Sequence, residues 1–225
     1  SKVQCYLPTH SHADHIGGFE EVALVNRYIS SSSKKPKMIV PKEYQDLLWN
    51  KSLAGGIEFC ETKEGQPLQL KDFFDILCPK KMELLGRQLW SYQYGPMELI
   101  LMRTLHIPDS AIRMDDAQWC CGILINRKVW ISGDTMFDKN YSTQFSQLSE
   151  VMFHDCQMFQ GGVHASYREL MTLPDKIRSK IYLYHYNDNW DDPKTWIEDS
   201  DDFTGDPVKD GFLGWAAQQV AYDFK

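Results

Sequence analysis

The segment 9–15, which reads THSHADH, constrains the fold and chemistry of this chain more than any other feature. It places four good metal ligands within six residues, and it holds three of the chain's seven histidines. Alternate side chains of an extended backbone point to the same side, so we expect His10 and His12 to face one ion. Asp14 and His15 fall in the turn that follows, from which they can reach a second ion. The segment therefore predicts a metal site rather than a polar loop that happens to be rich in histidine.

A two-ion site needs further ligands, and a rigid sheet holds such side chains best at the ends of strands. His106 ends the predicted strand ELILMRTL, Asp134 follows the predicted strand VWIS, and His185 ends the predicted strand IYLY. Any one of them alone would more often have a surface or hydrogen-bonding role. Three residues in equivalent places, in a chain that also carries the segment 9–15, favour metal binding.

Strands and helices alternate along the chain, which indicates an α/β or α+β fold. The predicted helices cover 19–29, 43–53 and 166–171, and the predicted strands cover 3–7, 38–40, 98–105, 119–125, 129–132, 151–153 and 181–184. We expect Gly55 and Gly56 to break the second helix. Short strands and turns are expected over 57–78, and an irregular segment over 80–97.

Length and composition fit one substantial domain, because 225 residues with 43% hydrophobic residues can bury a large core. The net charge is −7, from 24 Lys and Arg against 31 Asp and Glu, and this acidity opposes a large nucleic-acid partner. Six cysteines without a C-x-x-C pair predict free thiols in a reducing cytosol. No apolar run approaches the roughly 18 residues of a membrane span, so we expect a soluble cytoplasmic protein with no membrane partner.

The order H-x-H-x-D-H, a lone His, Gly-Asp and a second lone His resembles the signature of the metallo-β-lactamase superfamily. The resemblance implies a four-layer αβ/βα sandwich that binds two divalent metal ions. It implies one ion on His10, His12 and His106, a second on Asp14, His15 and His185, and a bridge through Asp134. Nitrogen and oxygen ligands of this kind suit zinc, and they also tolerate manganese or iron.

Two later segments, FHDCQ at 153–157 and VHAS at 163–166, resemble the paired loops of the ribonuclease Z branch of that superfamily. In that branch an acidic residue orients a histidine, which protonates the leaving oxygen. The residues that match these roles are Asp155 and His164. The alternative for this pair is a helix-capping loop with a solvent-exposed histidine.

The chain is most similar to the anti-Pycsar phosphodiesterases of phages and bacteria, through His106-Ile107-Pro108, FHDCQ and the segment 163–174. This resemblance implies a homodimer with two zinc ions that hydrolyses 3′,5′-cyclic mononucleotides, such as cyclic CMP and cyclic UMP, and so evades antiphage signalling. The implied catalytic residues are Asp14, Asp155 and His164. The implied partner is a small-molecule substrate rather than a nucleic acid.

The chain departs from the family pattern at both ends. Only nine residues precede His10, so we expect the first strands of the fold to be missing. We therefore assign residues 1–187 to a catalytic domain with a truncated N-terminal part, and residues 188–225 to an acidic extension. Eight carboxylates lie between Asp188 and Asp206, which is typical of a solvated loop or an interaction segment.

Three rival functions stay open at this point. A ribonuclease Z-like endonuclease that processes tRNA 3′ ends would share every catalytic residue, although the acidic balance opposes it. A lactonase or β-lactamase-type hydrolase is disfavoured, because acyl hydrolysis does not require the His164 loop. A protein that sequesters a nucleotide without cutting it would need neither Asp14 nor His164.

Overall fold

The structure is a computed structural model that describes three stretches of the chain: 3–31, 34–192 and 204–224. The chain divides into two compact units: residues 1–82 with 90–92, and residues 83–89 with 93–225. The predicted acidic segment 188–206 lies largely outside the described residues, so its expected role stays a prediction.

The first unit contains a three-stranded sheet of order β1-β2-β5 and a separate antiparallel pair, β3 and β4. Its strands are β1 (Cys5–Tyr6), β2 (Lys37–Ile39), β3 (Thr62–Lys63), β4 (Gln66–Pro67) and β5 (Asp75–Leu77). Its helices are α1 (Ala13–Ile16), α2 (Phe19–Leu24), α3 (Lys42–Leu48), α4 (Ala54–Ile57) and α5 (Leu70–Phe73), with π-helical turns over Val25–Ile29 and Trp49–Leu53. Both β1 and β5 pair in parallel with β2.

The predicted helices of this unit are confirmed, and their apolar positions show why they form. Phe19 and Ala23, four residues apart on α2, are both buried, as are Tyr44 and Leu48 on α3. Side chains with this spacing lie on one face of a helix, which packs against the core. Burial of each large apolar side chain contributes about 1.5 to 3 kcal/mol.

The second unit contains β8 to β13 and parts of β6 and β7, which form an eight-stranded sheet of order β13-β12-β11-β10-β9-β8-β7-β6. The strands are β6 (Lys80–Leu84), β7 (Arg87–Tyr94), β8 (Met97–Arg103), β9 (Cys121–Ile125), β10 (Val129–Ile131), β11 (Val151–Asp155), β12 (Ile181–Tyr184) and β13 (Gly214–Trp215). The helices are α6 (Lys139–Ser146), α7 (Tyr167–Met171) and α8 (Asp175–Arg178). Strands β8, β9 and β10 are antiparallel neighbours, whereas β10 to β13 run parallel.

Trp130 on β10 is the centre of the packing between the sheet and α6. Its buried indole stacks on Phe145, with ring centroids 6.0 Å apart, and meets Tyr141 and His154 edge-on. His154 is held by Ser142 of α6, whose Oγ lies 3.0 Å from the imidazole Nε2. Burial lowers the pKa of His154 below its ordinary value.

The expectation of an irregular segment over 80–97 is wrong, because β6 and β7 fill most of it. Leu85 and Gly86 connect the two strands, and both have positive φ, 54° and 70°. Two such residues form the two-residue turn that matches the twist of a β-hairpin. In the sequence, this hairpin is marked by Gly86, which separates the residues of β6 from those of β7. Both strands mix buried and exposed residues, and the buried ones include Leu89 and Trp90.

The expected break at Gly55 and Gly56 is also wrong, because both residues lie inside α4. A Cβ at Gly56 would meet the carboxylate of Glu20. This glycine therefore lets the two residues approach closely and does not end the helix. Helices α1, α5, α6 and α8 were not predicted, and α1 occupies the place of the turn that we expected at Asp14 and His15.

Two further expectations concern the cysteines and the C-terminal segment. All six cysteines are free thiols, as predicted. In the part of the chain that the structure describes, no helix has the length and apolar character needed to cross a membrane. Beyond residue 187, β13 pairs in parallel with β12, so the predicted extension contributes a strand to the sheet.

The two glycines at which prediction and structure differ give a test of the fold. Gly86→Ala places a side chain at positive φ and should lower the free energy of unfolding by about 1 kcal/mol. Gly55→Ala lies in a helix with open space around the added Cβ, and it should raise the free energy of unfolding by about 0.5 to 1 kcal/mol. Urea unfolding of both variants measures the difference, and equal effects would contradict the assigned conformations.

Candidate metal centre

The segment 9–15 follows β1 in the first unit and carries its metal-ligating side chains as a compact group. His12 is extended, with φ −70° and ψ 148°, and α1 begins at the next residue. The ring centroids of His10 and His12 lie 4.6 Å apart, and those of His10 and His15 lie 4.1 Å apart. The Asp14 carboxylate is largely exposed and lies 3.3 Å from Nε2 of His15.

Thr9 orients two of these histidines, a role that the sequence analysis missed. Its Oγ1 lies 3.2 Å from Nδ1 of His10 and 3.3 Å from Nδ1 of His15. A hydroxyl oxygen can accept hydrogen bonds from both rings. Such bonds fix the imidazole orientation and favour Nε2 as the ligand atom of each ring.

His106 lies in the second unit, three residues beyond β8, and is completely buried. Its Nδ1 lies 3.0 Å from the backbone carbonyl of Val163, an acceptor that fixes the tautomer. Its Nε2 lies 3.8 Å from Oδ2 of Asp134, which is also buried. The pair therefore presents one nitrogen and one oxygen ligand side by side.

The position of Asp134 depends on the residues that hold its backbone. Gly133 has φ 65°, and a Cβ there would meet the carbonyl of Cys121, so only glycine fits before the aspartate. The Asp134 carbonyl accepts hydrogen bonds from Thr104 Oγ1 at 2.9 Å and from Cys120 Sγ at 3.2 Å. Burial raises the pKa of the Cys120 thiol, which keeps its proton for this bond.

Asp155 ends β11, is completely buried and accepts three hydrogen bonds. Its Oδ2 lies 2.8 Å from Nδ1 of His164 and 2.9 Å from the backbone nitrogen of Thr135, and its Oδ1 lies 3.0 Å from Nδ1 of His185. Burial acts to raise the pKa of Asp155, but the hydrogen bonds from His164 and His185 outweigh it and hold the pKa below its ordinary value. We predicted that Asp155 orients His164, and the structure adds His185.

His185 has backbone strain that is typical of a functional position. Its φ of 64° lies in the left-handed region, which a residue with a side chain seldom adopts. Its ring centroid lies 4.5 Å from that of His164. Asp134, His164 and His185 each offer a ligand atom, and these three atoms all lie within 4.8 Å of one another.

These donors fit a divalent metal ion. Imidazole nitrogen and carboxylate oxygen are suitable zinc ligands, and Nδ1 of His106, His164 and His185 in each case faces an oxygen acceptor. The nine predicted site residues thus form two groups: four in the first unit and five in the second. Their individual roles stay predictions.

Because Asp155 accepts hydrogen bonds from both His164 and His185, its substitution can be tested by its effect on metal affinity. Asp155→Asn replaces one acceptor oxygen with a donor, so the side chain can no longer accept bonds from both histidines. We expect zinc affinity to fall about 10- to 100-fold, the usual effect of losing a residue that orients a ligand. Competition with a chelating dye measures this affinity.

Asp210→Asn is the matched control. Asp210 is also buried, and it accepts hydrogen bonds from Tyr167 Oη and from the backbone nitrogens of Thr204 and Gly205, with no histidine partner. Its substitution should leave zinc affinity unchanged. Equal losses in both variants would mean that the effect of Asp155→Asn reflects general destabilisation.

Comparison with known proteins shows the family of the chain. The family model for the anti-Pycsar protein Apyc1 matches residues 1–208. The anti-Pycsar protein Apyc1 of Bacillus phage vB_BsuM-Goe3 is 37% identical over 190 residues, which cover 81% of this chain and 68% of that protein. Its counterpart in Paenibacillus harenae is 31% identical over 196 residues, which cover 84% of this chain and 71% of that protein.

Among solved structures, the short form of human tRNase Z is similar with a TM-score of 0.50 and 14% identity, over 83% of this chain and 73% of that one. This likeness concerns the fold, and it confirms the predicted metallo-β-lactamase fold. The chain therefore belongs to the anti-Pycsar Apyc1 family and is a metal-dependent phosphodiesterase.

Proposed function

We propose that the protein hydrolyses 3′,5′-cyclic mononucleotides, cyclic CMP and cyclic UMP among them, to linear monophosphates. The observation that carries this proposal is the buried Asp155 carboxylate bonded to His164 beside Asp134 and His185, in a chain of the anti-Pycsar family. A metal site alone would suit many hydrolases. A histidine oriented by a carboxylate next to that site supplies the proton donor that cleavage of a phosphodiester requires.

The proposed cofactor is a pair of zinc ions, with manganese as an alternative. When bound, the ions supply an activated water and neutralise charge on the phosphoryl oxygens. The ligand assignment implied by the family is the one we propose: His10, His12 and His106 for one ion, Asp14, His15 and His185 for the other, and Asp134 as the bridge. The donor chemistry supports zinc, because every ligand is an imidazole or a carboxylate.

His164 is the proposed general acid. Its Nδ1 is bonded to Oδ2 of Asp155, so the proton that it can deliver is the one on Nε2. As the bond between phosphorus and the ribose oxygen breaks, that proton passes to the departing oxygen and the water oxygen becomes bonded to phosphorus. The hydrogen bond to Asp155 orients the imidazole for this transfer.

Asp14 is proposed to act on the attacking side. Its side chain is 66% exposed, which supports a role that requires access to solvent. The carboxylate can bind an ion and also orient or accept the proton of the attacking water. This second role, together with His164, distinguishes a hydrolase from a protein that only sequesters nucleotides.

The acidity of the chain supports a small substrate over tRNA. A cyclic mononucleotide carries a single negative charge, which two ions can meet locally. A tRNA presents many phosphates, and a chain with a net charge of −7 would repel them. We further propose that the protein acts in the cytoplasm as a homodimer, where its substrates would be the signals of an antiphage defence.

The role of His164 is tested by substitution. His164→Ala should leave the metal content unchanged and lower turnover about 10²- to 10⁴-fold, because only the proton donor is lost. Turnover and metal analysis are measured on the same preparation. A variant that loses a metal ion would show that His164 is a ligand, and a variant with full activity would exclude it as the acid.

The substrate is tested with three classes of compound: cyclic mononucleotides, a tRNA precursor with a 3′ extension, and a chromogenic lactam. We expect hydrolysis of several cyclic mononucleotides, pyrimidine ones included, and negligible cleavage of the other two. The rate should depend only weakly on salt, because few phosphate contacts are involved. Efficient cleavage of the tRNA with cyclic nucleotides left intact would overturn the proposed substrate.

A further inference from the structure

The parallel strands β10, β11 and β12 end at or just before three of the predicted site residues. Asp134 lies three residues beyond β10, Asp155 is the last residue of β11, and His185 follows β12 directly. The register places Ile131 beside Phe153, and Asp155 beside Tyr184. The regular backbone hydrogen bonds between the strands stop near these residues. Other interactions are therefore needed to hold the three strand ends at a fixed spacing.

Ser132 lies between these strand ends and is completely buried. Its Oγ lies 2.6 Å from the Gly133 carbonyl, 2.9 Å from the backbone nitrogen of Asp155 and 3.3 Å from Oη of Tyr184. One hydroxyl therefore contacts the residue before Asp134, Asp155 itself and the residue before His185.

The direction of these bonds follows from the capacity of a hydroxyl group. A serine hydroxyl has one proton to donate and two lone pairs that accept. The Gly133 carbonyl can only accept, so it takes the proton, and the nitrogen of Asp155 can only donate. The remaining lone pair accepts the proton of Tyr184. Ser132 is then fully hydrogen-bonded, and each bond reaches a different strand end.

We propose that Ser132 is a positioning residue, whose hydroxyl sets the spacing of Asp134, Asp155 and His185 without itself touching metal or substrate. The inference rests on the proposed function in so far as Asp134 and His185 bind metal. No sequence signal pointed to it, because a serine before Gly-Asp reads as an ordinary turn residue.

Zinc affinity tests this role independently of catalysis. Ser132→Ala removes all three bonds and should weaken zinc binding by about 10- to 100-fold, as expected for loss of a residue that supports the ligands. Tyr184→Phe removes one bond, keeps the aromatic ring and should give a smaller loss. The absorption spectrum of the cobalt-substituted variants should shift as well, because the ligand geometry changes.

Ser149→Ala is the matched control. Ser149 is a buried serine whose hydroxyl donates to the Phe145 carbonyl at 2.8 Å, and it follows α6 instead of a strand end. This variant should bind zinc like the wild type even where its melting temperature falls. A structural role alone would lower the stability of Ser132→Ala and leave zinc affinity and the cobalt spectrum unchanged, which would overturn the proposal.

Two further outcomes have a defined meaning. If Ser132→Ala does not fold, Tyr184→Phe decides: weaker zinc binding supports the proposal, and wild-type affinity overturns it. If the wild type binds zinc tightly but hydrolyses no cyclic nucleotide, the proposed substrate fails while the role of Ser132 stands or falls on the zinc data.

Discussion

The buried carboxylate of Asp155 is the constraint on which the second unit depends most. A carboxylate removed from water is tolerated only where hydrogen bonds replace its hydration. Here they come from His164, from His185 and from the backbone of Thr135. The two histidines cannot bond to it unless the loop that contains His164 and the end of β12 both reach the end of β11.

Parallel pairing of β10, β11 and β12 meets this requirement, because the carboxyl ends of such strands lie along one edge of the sheet. Catalytic residues in α/β sheets commonly occur at this edge. Helix α6 supports the same strands, because it packs on Trp130 of β10 and its Ser142 is hydrogen-bonded to His154 of β11. The rigid strands thus fix the positions of the reactive side chains that lie at their ends. The surrounding structure also holds the strained backbone of His185 in its left-handed conformation.

The sequence indicated the candidate ligands more completely than it indicated the secondary structure and the residues that support the ligands. Ligand candidates such as His106 and His185 were found because their residue types are rare and stand at strand ends. The hairpin of β6 and β7 was missed because no hydrophobic pattern marks its strands. It depends on a turn in which Leu85 and Gly86 both adopt the left-handed conformation. Supporting residues such as Thr9 and Ser132 could not be predicted, because common polar residues acquire these roles only through contacts made by folding.

Hydrolysis of cyclic CMP by the zinc-loaded protein in ¹⁸O-labelled water, followed by phosphorus NMR, is the sharpest test of the proposed reaction. We expect a linear cytidine monophosphate that carries one ¹⁸O on phosphorus, because water attacks the phosphorus atom and the ribose oxygen leaves. Product without ¹⁸O on phosphorus would contradict the proposed route. Unchanged cyclic CMP in the presence of protein with measured zinc would contradict the proposed function itself.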